Sequence, residues 1–453
     1  MNRLTLYNNE ASFIEVLSNN GLHHLKNEDP EIYNLLELEQ QRQVNSLSMI
    51  ASSSIADPSV LACEGSALTN VTTEGYPGRR FHAGCKYIDE IEKIAIERAK
   101  SAFDAHYVNV QPHSGSSANQ IVMFSILQPG DCILGLDLAC GGHLTHGSKA
   151  SFSGQLFKPI TYGLDQNGFI NYEQVLELAK KYKPRLIICG ASAYTRTINF
   201  KRFREIADEV GAFLLADISH IAGLVVSGVH PNPINHAHFT TTSTYKQLFG
   251  PRGGLIMSGK DSELQITESK NLSEVIQSGV FPKMQGTPTL NSVASKARAL
   301  AFVNSKEFQK ISKNIVNNAR VFAQEISNLG YSVQTGGTDN HMIIIDVSKK
   351  GLSGKIVESA LEECSIIVNK NMIPGDKKGP LITSGIRFGT NSLAIRGMDA
   401  TVMKACVELI DKVLTNIQVV DNENYKISDS IINEVKRNVL YLCKKYPIPG
   451  YTF

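Results

Sequence analysis

The middle of the chain alternates short apolar runs with segments of helical periodicity. The apolar runs that predict strands span residues 107–110, 132–136, 185–189 and 213–216. Helical patterns lie between them, for example at 172–181 and 200–210. Strands that alternate with helices are typical of an α/β domain, doubly wound around a mostly parallel sheet.

The pattern changes after about residue 289. A long helical stretch at 291–329 contains a bend, and a strand follows at 342–347. A chain of 453 residues is too long for one core, so two domains are expected. We expect an N-terminal arm of helices at 1–45, a large domain at 46–290 and a smaller α+β domain at 291–453.

Polar groups follow the predicted strands at the edge where ligands bind in open α/β sheets. They are His113-Ser114-Gly115-Ser116, Ser192, Asp217 with His220, and Lys246. Ser114-Gly115-Ser116 opens a helix at about Ser117, where free N–H groups attract an anion. An ordinary capping turn would also explain these three residues, and taken alone it is the favoured interpretation.

Asp217 and Lys246 extend the pattern. Asp217 could cap the turn after its strand, but a strand-end carboxylate could also hold a pyridinium nitrogen. Lys246, on a later strand, stands in the stretch TTSTYKQLFGPRGG among short hydroxyl residues. A phosphate turn, a carboxylate and a lysine are the three contacts of pyridoxal phosphate, with the lysine forming the Schiff base.

Composition restricts the classes of function. The chain is 42% hydrophobic and 19% charged with a net charge of +2, which indicates a soluble protein and argues against nucleic-acid or membrane partners. The N-terminus lacks the apolar core of a secretory signal. Eight cysteines show no metal-binding or disulfide spacing, so we expect buried thiols, no metal and a cytoplasmic location.

Three further residues have both a structural and a functional interpretation. His143, in GGHLTHG, is either a structural histidine or a ring that stacks on the cofactor. Arg387, in SGIRFGT, is either a surface residue or a bidentate carboxylate ligand. Glu74, in TEGYPGRR, either caps a turn or transfers a proton near a substrate hydroxyl.

Taken together, the motifs resemble the serine hydroxymethyltransferase family of fold-type I pyridoxal-phosphate enzymes, over about residues 29–447. The motifs that carry the resemblance are EGYPG, NVQPHSGSSAN, GGHLTHG, TTSTYKQLFGPRGG, GGTDNH, VNKN and TSGIR. The resemblance implies Cα–Cβ bond chemistry on a β-hydroxy amino acid. It also implies a homodimer, or a tetramer, with active sites shared between subunits.

The resemblance assigns a role to each candidate. Lys246 forms the Schiff base, Asp217 meets the pyridine nitrogen and His143 stacks on the ring, while Ser192 and His220 lie by the ring hydroxyl. The phosphate contacts are Ser114, Gly115, Ser116 and Gly286, the last from the neighbouring subunit, and Ser243 replaces a usual threonine beside them. Ser52 and Arg387 bind the substrate carboxylate, and Glu74 reaches the reacting hydroxyl across the dimer interface.

Departures from the family pattern cluster around this site. The family's IASEN reads Ile50-Ala51-Ser52-Ser53-Ser54, and the tyrosine before EGYPG is Thr72. The remaining replacements are Phe81-His82 for two tyrosines, Tyr245 for the histidine before the lysine, Pro282–Thr287 for PGGQGG, and Gly389–Ser392 for GTPA. Lost phenol and carboxylate groups cannot be replaced by Thr, Phe or Ser without losing donors or charge.

The expected activity is therefore cleavage of threonine or serine and transfer of the glycine fragment to an aldehyde, as in a folate-independent threonine transaldolase or aldolase. Tyr245 and His82 join the catalytic candidates. A folate-dependent serine hydroxymethyltransferase stays open, because Leu138, Leu144 and Asn371 survive on the folate side. Decarboxylation, transamination or an inactive binding protein are weaker alternatives.

Overall fold

The computed structural model describes residues 12–421 and 423–451. Its α-helices are α1 Phe13–Glu28, α2 Pro30–Val44, α3 Pro58–Glu64, α4 Lys86–Phe103, α5 Gly115–Ile126, α6 Phe152–Leu156, α7 Tyr172–Tyr182, α8 Phe200–Val210, α9 Ala222–Val226, α10 Leu272–Ser278, α11 Leu290–Val303, α12 Lys306–Asn328, α13 Gly354–Glu363, α14 Asn391–Ile395, α15 Ala400–Thr415 and α16 Asp429–Lys445.

The strands are β1 Leu47–Ser48, β2 Gly75–Tyr76, β3 Arg79–Arg80, β4 Tyr107–Asn109, β5 Cys132–Leu136, β6 Lys158–Tyr162, β7 Leu186–Cys189, β8 Phe213–Asp217, β9 Phe239–Ser243, β10 Gly254–Ser258, β11 Gln265–Thr267, β12 Lys270–Asn271, β13 Ser332–Val333, β14 Met342–Asp346, β15 Ile366–Ile367, β16 Asn369–Asn371, β17 Gly385–Gly389, β18 Gln418–Val419 and β19 Tyr425–Lys426.

A seven-stranded sheet forms the centre of the larger unit, in the order β4-β10-β9-β8-β7-β5-β6. The pairs β6–β5, β5–β7, β7–β8 and β8–β9 are parallel, whereas β10 runs antiparallel to both its neighbours. Every residue of β7 is fully buried, as expected for a strand covered by helices on both faces. The predicted α/β class and mostly parallel sheet are confirmed.

The smaller unit contains the antiparallel sheet β13-β14-β17-β16. Helices α12 and α13 pack beside this sheet, and α15 packs against both helices around a second hydrophobic core. This arrangement is the smaller α+β unit that the sequence predicts. Its sheet carries Arg387 on β17, where Arg387 pairs with Asn369 of β16.

The predicted bend in the long helical stretch is a complete break. Helix α11 ends at Val303, and Ser305 begins α12 by accepting a hydrogen bond on Oγ from the amide of Phe308 at 3.1 Å. A serine side chain at this position satisfies one of the free amides of a helix start. The break lets α11 pack on α3 and α4 while α12 crosses to the second core.

Two segments pack in a different core from the one expected from the predicted domain boundaries. Leu47 and Met49 pack in the second core, because β1 pairs with β15. Val293, Ala297 and Leu300 of α11 pack in the first core. The division at residues 45 and 290 remains a prediction, and residues 1–11 of the arm lie outside the described residues. No helix of the described part is long and apolar enough to cross a membrane.

Candidate active site

A cavity of about 130 Å³ opens where the parallel strands end. Its lining contains eight of the residues singled out from the sequence, together with three others; they are Ser114, Gly115, Ser116, His143, Asp217, Ser219, Ser243, Tyr245, Lys246, Arg252 and Gly253. Residues separated by more than 130 positions therefore meet at one edge of the sheet, as the topology requires.

Helix α5 begins at this cavity, at Gly115 rather than near Ser117 as predicted. Ser114 Oγ accepts a hydrogen bond from the amide of Ser117 at 3.0 Å, so the capping interpretation is correct. This cap does not exclude anion binding, because a side-chain cap satisfies only one of the free amides at a helix start. A Cβ at Gly115 would lie 3.2 Å from both Ser219 Oγ and Ser243 N, so a glycine keeps the turn close to β9.

Asp217 is buried at the end of β8. One carboxylate oxygen accepts a hydrogen bond from Asn119 Nδ2 at 2.7 Å and lies 3.2 Å from His146 Nε2, and the other accepts from the amide of Ser219 at 3.0 Å. Burial raises the pKa of Asp217, but the His146 hydrogen bond and the nearby histidines outweigh it and hold this pKa well below its usual range. The carboxylate is ionised at neutral pH and can hold a cationic ring nitrogen.

Asn119 and His146 were missed from the sequence. Besides Asp217, Asn119 contacts Thr145 Oγ1 at 2.9 Å and accepts from Thr241 Oγ1 at 2.6 Å, so it links α5, β9 and the GGHLTHG turn. Both residues lie inside quoted motifs: Asn119 ends NVQPHSGSSAN, and His146 follows His143 by three. The sequence did contain one signal for Asn119: a spacing of four residues places it on the same helix face as Gly115.

His143 is a neutral ring beside Asp217. Its Nδ1 lies 2.8 Å from Thr145 Oγ1. Burial lowers the pKa of His143 to about 4, so the imidazole is uncharged at neutral pH and suits stacking on an aromatic cofactor. The ligand atoms of His143, His146 and Asp217 lie within 4.8 Å of one another, a donor set that could also hold a metal ion and that the sequence did not predict.

Lys246 lies three residues beyond the end of β9, and not on a strand as the sequence predicted. It is 6% exposed, and its strand-end position brings it into the same cavity as Asp217. Burial lowers the pKa of Lys246 to about 8, Asp217 raises it, and Arg387 and Arg252 lower it further. A substantial neutral fraction near physiological pH suits a lysine nucleophile.

Tyr245 borders the lysine without contacting Asp217. The Tyr245 ring centroid lies 5.9 Å from Lys246 Nζ, and the guanidinium carbon of Arg252 lies 3.7 Å above the ring. The carbonyl of Tyr245 accepts a hydrogen bond from Ser54 Oγ. The tyrosine is thus held on three sides, by the lysine turn, a stacked arginine and the 50–54 segment.

Arg387 reaches from the small unit toward this edge. Its Nε donates to Asn369 Oδ1 at 3.1 Å, and its Nη1 donates to the carbonyl of Ser192. Burial lowers the pKa of Arg387 to about 10, which leaves it cationic at neutral pH. The Ser192 carbonyl, rather than its hydroxyl, therefore makes the contact with the predicted substrate arginine.

The segment that precedes Ser52 is tied to the same region. The carbonyl of Ala51 accepts from His341 Nε2 at 3.2 Å and from Asn391 Nδ2 at 3.1 Å, while Asn391 Oδ1 accepts from Gln247 Nε2 at 3.3 Å. Gln247 follows Lys246 directly. Buried side-chain amides thus connect the lysine turn, the small unit and the segment leading to Ser52.

His220 is buried between the lysine turn and His341. The two imidazole rings stack with centroids 5.9 Å apart and an interplanar angle of 19°. Burial, followed by the charges of Lys246 and Arg387, lowers the pKa of His220 well below its usual range. Its Nδ1 has no hydrogen-bond partner among the described residues, so a polar ligand atom could satisfy it.

Seven predicted site residues are not part of this cavity's lining, namely Ser52, Glu74, His82, Ser192, His220, Gly286 and Arg387. Glu74 is half-buried, and His82 and Gly286 are exposed. Gly286 nevertheless lies beside Glu74, since a Cβ at Gly286 would be 3.3 Å from Glu74 Oε1. These two residues therefore lie together outside the lining of this cavity.

The cavity fits pyridoxal phosphate. Ser243 Oγ and His220 Nδ1 are buried polar atoms without partners among the described residues. Ser114, Gly115 and Ser116 present a helix start suited to the phosphate, Asp217 a carboxylate suited to the pyridine nitrogen, and Lys246 an amine suited to the aldehyde. The fold and this cavity define a fold-type I pyridoxal-phosphate-dependent transferase.

Comparison with known proteins identifies the family. The serine hydroxymethyltransferase family model matches residues 25–410. A curated serine hydroxymethyltransferase from Chlorobium phaeovibrioides is 46% identical over 437 residues, covering 94% of this chain and 98% of that protein. The chain belongs to the serine hydroxymethyltransferase family, whose members are pyridoxal-phosphate-dependent transferases.

Proposed function

We propose that this enzyme transfers a glycine unit from threonine or serine to an aldehyde acceptor without tetrahydrofolate, as a threonine transaldolase or aldolase does. The reaction breaks the Cα–Cβ bond of the donor, releases acetaldehyde or formaldehyde, and forms a new bond from Cα to the acceptor carbonyl carbon. Pyridoxal phosphate supplies the electron sink that stabilises the electron pair left on Cα.

The protein's own groups hold each part of the reactants. Lys246 is the covalent anchor of the cofactor, and ionised Asp217 keeps the ring nitrogen protonated. Arg387 and Ser52 would bind the amino-acid carboxylate and so select which bond on Cα breaks. His143 would support the face of the ring, and Ser192 and His220 would hold its hydroxyl.

The arrangement around Tyr245 carries the proposal. The family places an imidazole before the lysine and a glutamate and an asparagine after the substrate serine, whereas this chain has Tyr245, Ser53 and Ser54. Two of these replacements contact each other, because Ser54 Oγ donates to the Tyr245 carbonyl. The imidazole, a group able to exchange a proton near neutral pH, has thus been replaced beside the lysine by a phenol stacked under Arg252.

The face that serves folate in the family has also lost polar groups. Phe81 is 74% exposed, and its ring centroid lies 5.5 Å from that of Phe281. Phe81 lacks the phenol of the family tyrosine, and Ser53 lacks the carboxylate of the family glutamate. Each lost hydrogen bond to a charged group weakens folate binding by roughly 1.5–3 kcal/mol, so an apolar acceptor such as an aromatic aldehyde suits this face better.

Folate-dependent serine hydroxymethyltransferase activity is the second candidate. It is favoured by the 46% identity to the Chlorobium phaeovibrioides relative and by three retained residues. Leu138 and Leu144 are 45% and 49% exposed, and Asn371 lies at the end of β16. The two candidates share every cofactor residue and differ only in the acceptor.

We also propose a cytoplasmic homodimer, with a tetramer as a possible further assembly. In the dimer Glu74 and Gly286 of one subunit complete the cavity of the other, with His82 nearby, Glu74 acting on the reacting hydroxyl and Gly286 on the phosphate. The support is that Gly286 lies beside Glu74, with both residues outside the lining of their own chain's cavity. Helices α1 and α2 add large exposed apolar side chains, including Phe13 at 83% and Ile14 at 70%, that a second copy would cover.

With threonine as donor, acetaldehyde release is expected to increase by roughly tenfold or more when an aromatic aldehyde is added, because the acceptor removes the glycine fragment. Coupled detection of acetaldehyde, with chromatography of the β-hydroxy amino acid product, measures both halves of the reaction. Serine in place of threonine tests the donor.

A Tyr245→Phe variant is the matched control for the aldehyde dependence, since it keeps the ring under Arg252 and removes only the hydroxyl. Tyr245→His restores the family group. Aldehyde-independent acetaldehyde release at the same rate would indicate a simple aldolase. The absence of any cleavage of threonine or serine would contradict the proposal.

A further inference from the structure

A second buried lysine lies behind the cavity, and none of the roles above uses it. Lys296, on α11, is 2% exposed. Its Nζ donates to the carbonyls of Val110 at 2.7 Å, Pro112 at 3.0 Å and Gly254 at 3.1 Å. An ammonium group has three N–H donors, so three carbonyls satisfy it fully in its charged form.

The three carbonyls belong to the two segments that build the phosphate turn. Val110 and Pro112 lead directly into Ser114, and Gly254 begins β10. The amide of Gly254 also donates to the Pro112 carbonyl at 2.9 Å. Lys296 therefore fastens together the chain before Ser114 and the chain after the lysine turn, at the point where they run side by side.

Lys296 also lies directly behind the cavity wall. A Cβ at Gly253 would meet Lys296 Cε at 2.2 Å and Thr244 Oγ1 at 2.9 Å, so glycine is required for the lysine to occupy this place. Gly253 lines the cavity. The Lys296 side chain, which carries a positive charge when protonated, therefore lies directly behind Gly253 and the space where an anion would bind.

The charge of Lys296 acts on the neighbouring turn. Burial, followed by the charge of Lys296, lowers the pKa of His113, the residue before Ser114. Burial lowers the pKa of Lys296 itself to about 7, and the carboxylates of Glu64 and Glu92 raise it. Burial of a cation raises the free energy of the folded state unless the cation is well hydrogen-bonded. Buried titratable groups with shifted pKa values cluster at functional sites.

We propose that Lys296 is a positioning residue for the cofactor phosphate: it holds the Val110–Pro112 and Gly253–Gly254 segments in the arrangement that lets Ser114, Gly115 and Ser116 bind a phosphate dianion. The inference rests on the phosphate role proposed for that turn. Lys296 does not touch the reacting atoms, so its effect falls on phosphate binding and not on the bond-breaking step.

The test compares pyridoxal phosphate with pyridoxal, which lacks the phosphate, on the apoenzyme. Lys296→Met is expected to raise the Kd for pyridoxal phosphate by roughly tenfold to a hundredfold, the size of a lost charge-assisted interaction. The Kd for pyridoxal should change less than about threefold. Inorganic phosphate should raise the melting temperature of the wild-type apoenzyme and not that of Lys296→Met.

Arg396→Met is the matched control. Arg396 is another buried cation, 5% exposed, whose guanidinium donates to the carbonyls of Gln43 and Val44 at 2.9 Å and of Tyr446 at 3.0 Å, away from the cavity. This variant should lose thermal stability while its ratio of the two Kd values stays within about twofold of wild type. Lys296→Gln keeps two donors and should fall between wild type and Lys296→Met, and it carries the test if the methionine variant does not fold.

Equal loss of pyridoxal phosphate and pyridoxal binding, or no loss of either, would overturn the inference. The wild-type titration tests the proposed function separately. A wild type that binds pyridoxal phosphate tightly beside a Lys296→Met variant that binds it equally well would refute the role of Lys296 and leave the proposed cofactor site intact.

Discussion

Replacing Lys246 with alanine is expected to lower turnover of threonine by about a thousandfold or more, since no other described lysine lines the cavity. The variant keeps the phosphate turn and Asp217, so it should still bind pyridoxal phosphate, but without the visible absorbance that a covalent bond to lysine produces. The Lys246→Ala variant therefore separates cofactor binding from catalysis.

Initial rates of acetaldehyde release, together with the visible spectrum, measure this effect. Lys260→Ala is the control, because Lys260 is an exposed lysine outside the cavity, and it should retain wild-type rate and spectrum. A Lys246→Ala variant with normal turnover would refute the role proposed for the lysine, whatever happens to cofactor affinity.

Replacing Asp217 with asparagine is expected to lower kcat by roughly a hundredfold or more, because a buried negative charge aimed at the ring nitrogen is lost where solvent cannot replace it. The asparagine amide has nearly the same shape as the aspartate carboxylate. The loss of kcat would therefore come from the missing charge and from the replacement of a hydrogen-bond acceptor by a donor. The amides of Asn119 and Ser219 and the His146 ring, which now surround a carboxylate, would face a partial donor instead.

Asp261→Asn supplies the comparison for the loss of a carboxylate. Asp261 is a partly buried carboxylate paired with Arg204, outside the cavity, and its substitution should leave kcat within about twofold. If Asp217→Asn retained wild-type kcat and only lost stability, Asp217 would be a structural residue and not the partner of the ring nitrogen.

Local pattern was enough to predict much of the fold. The strands ending near Asn109, Leu136, Cys189 and Asp217 are short apolar runs bounded by polar groups, and each was predicted to within one or two residues. Pairing between distant segments was not predictable in this way. Strand β1 joins β15 across more than 300 residues, and nothing in the two-residue strand Leu47–Ser48 indicates its partner.

The site residues likewise fall into those that were predictable from the sequence and those that were not. Residues at the end of a strand or a few residues beyond it, such as Asp217 and Ser114, were visible from their position alone. Asn119, His146 and Lys296 were not, because each lies inside a helix or turn where an amide, an imidazole or a lysine looks like an ordinary side chain. Their importance depends on which carbonyls and carboxylates the fold brings to them.

The identity of the acceptor separates the proposed function from folate-dependent serine hydroxymethyltransferase activity, and a pair of initial rates measures it most directly. One is the formation of methylenetetrahydrofolate from serine and tetrahydrofolate, and the other is the formation of a β-hydroxy amino acid from threonine and an aromatic aldehyde. Because Phe81, Ser53 and Tyr245 stand where the family has a phenol, a carboxylate and an imidazole, the aldehyde reaction is predicted to be faster by roughly tenfold or more. A folate-dependent rate equal to or above the aldehyde rate would contradict the proposed function.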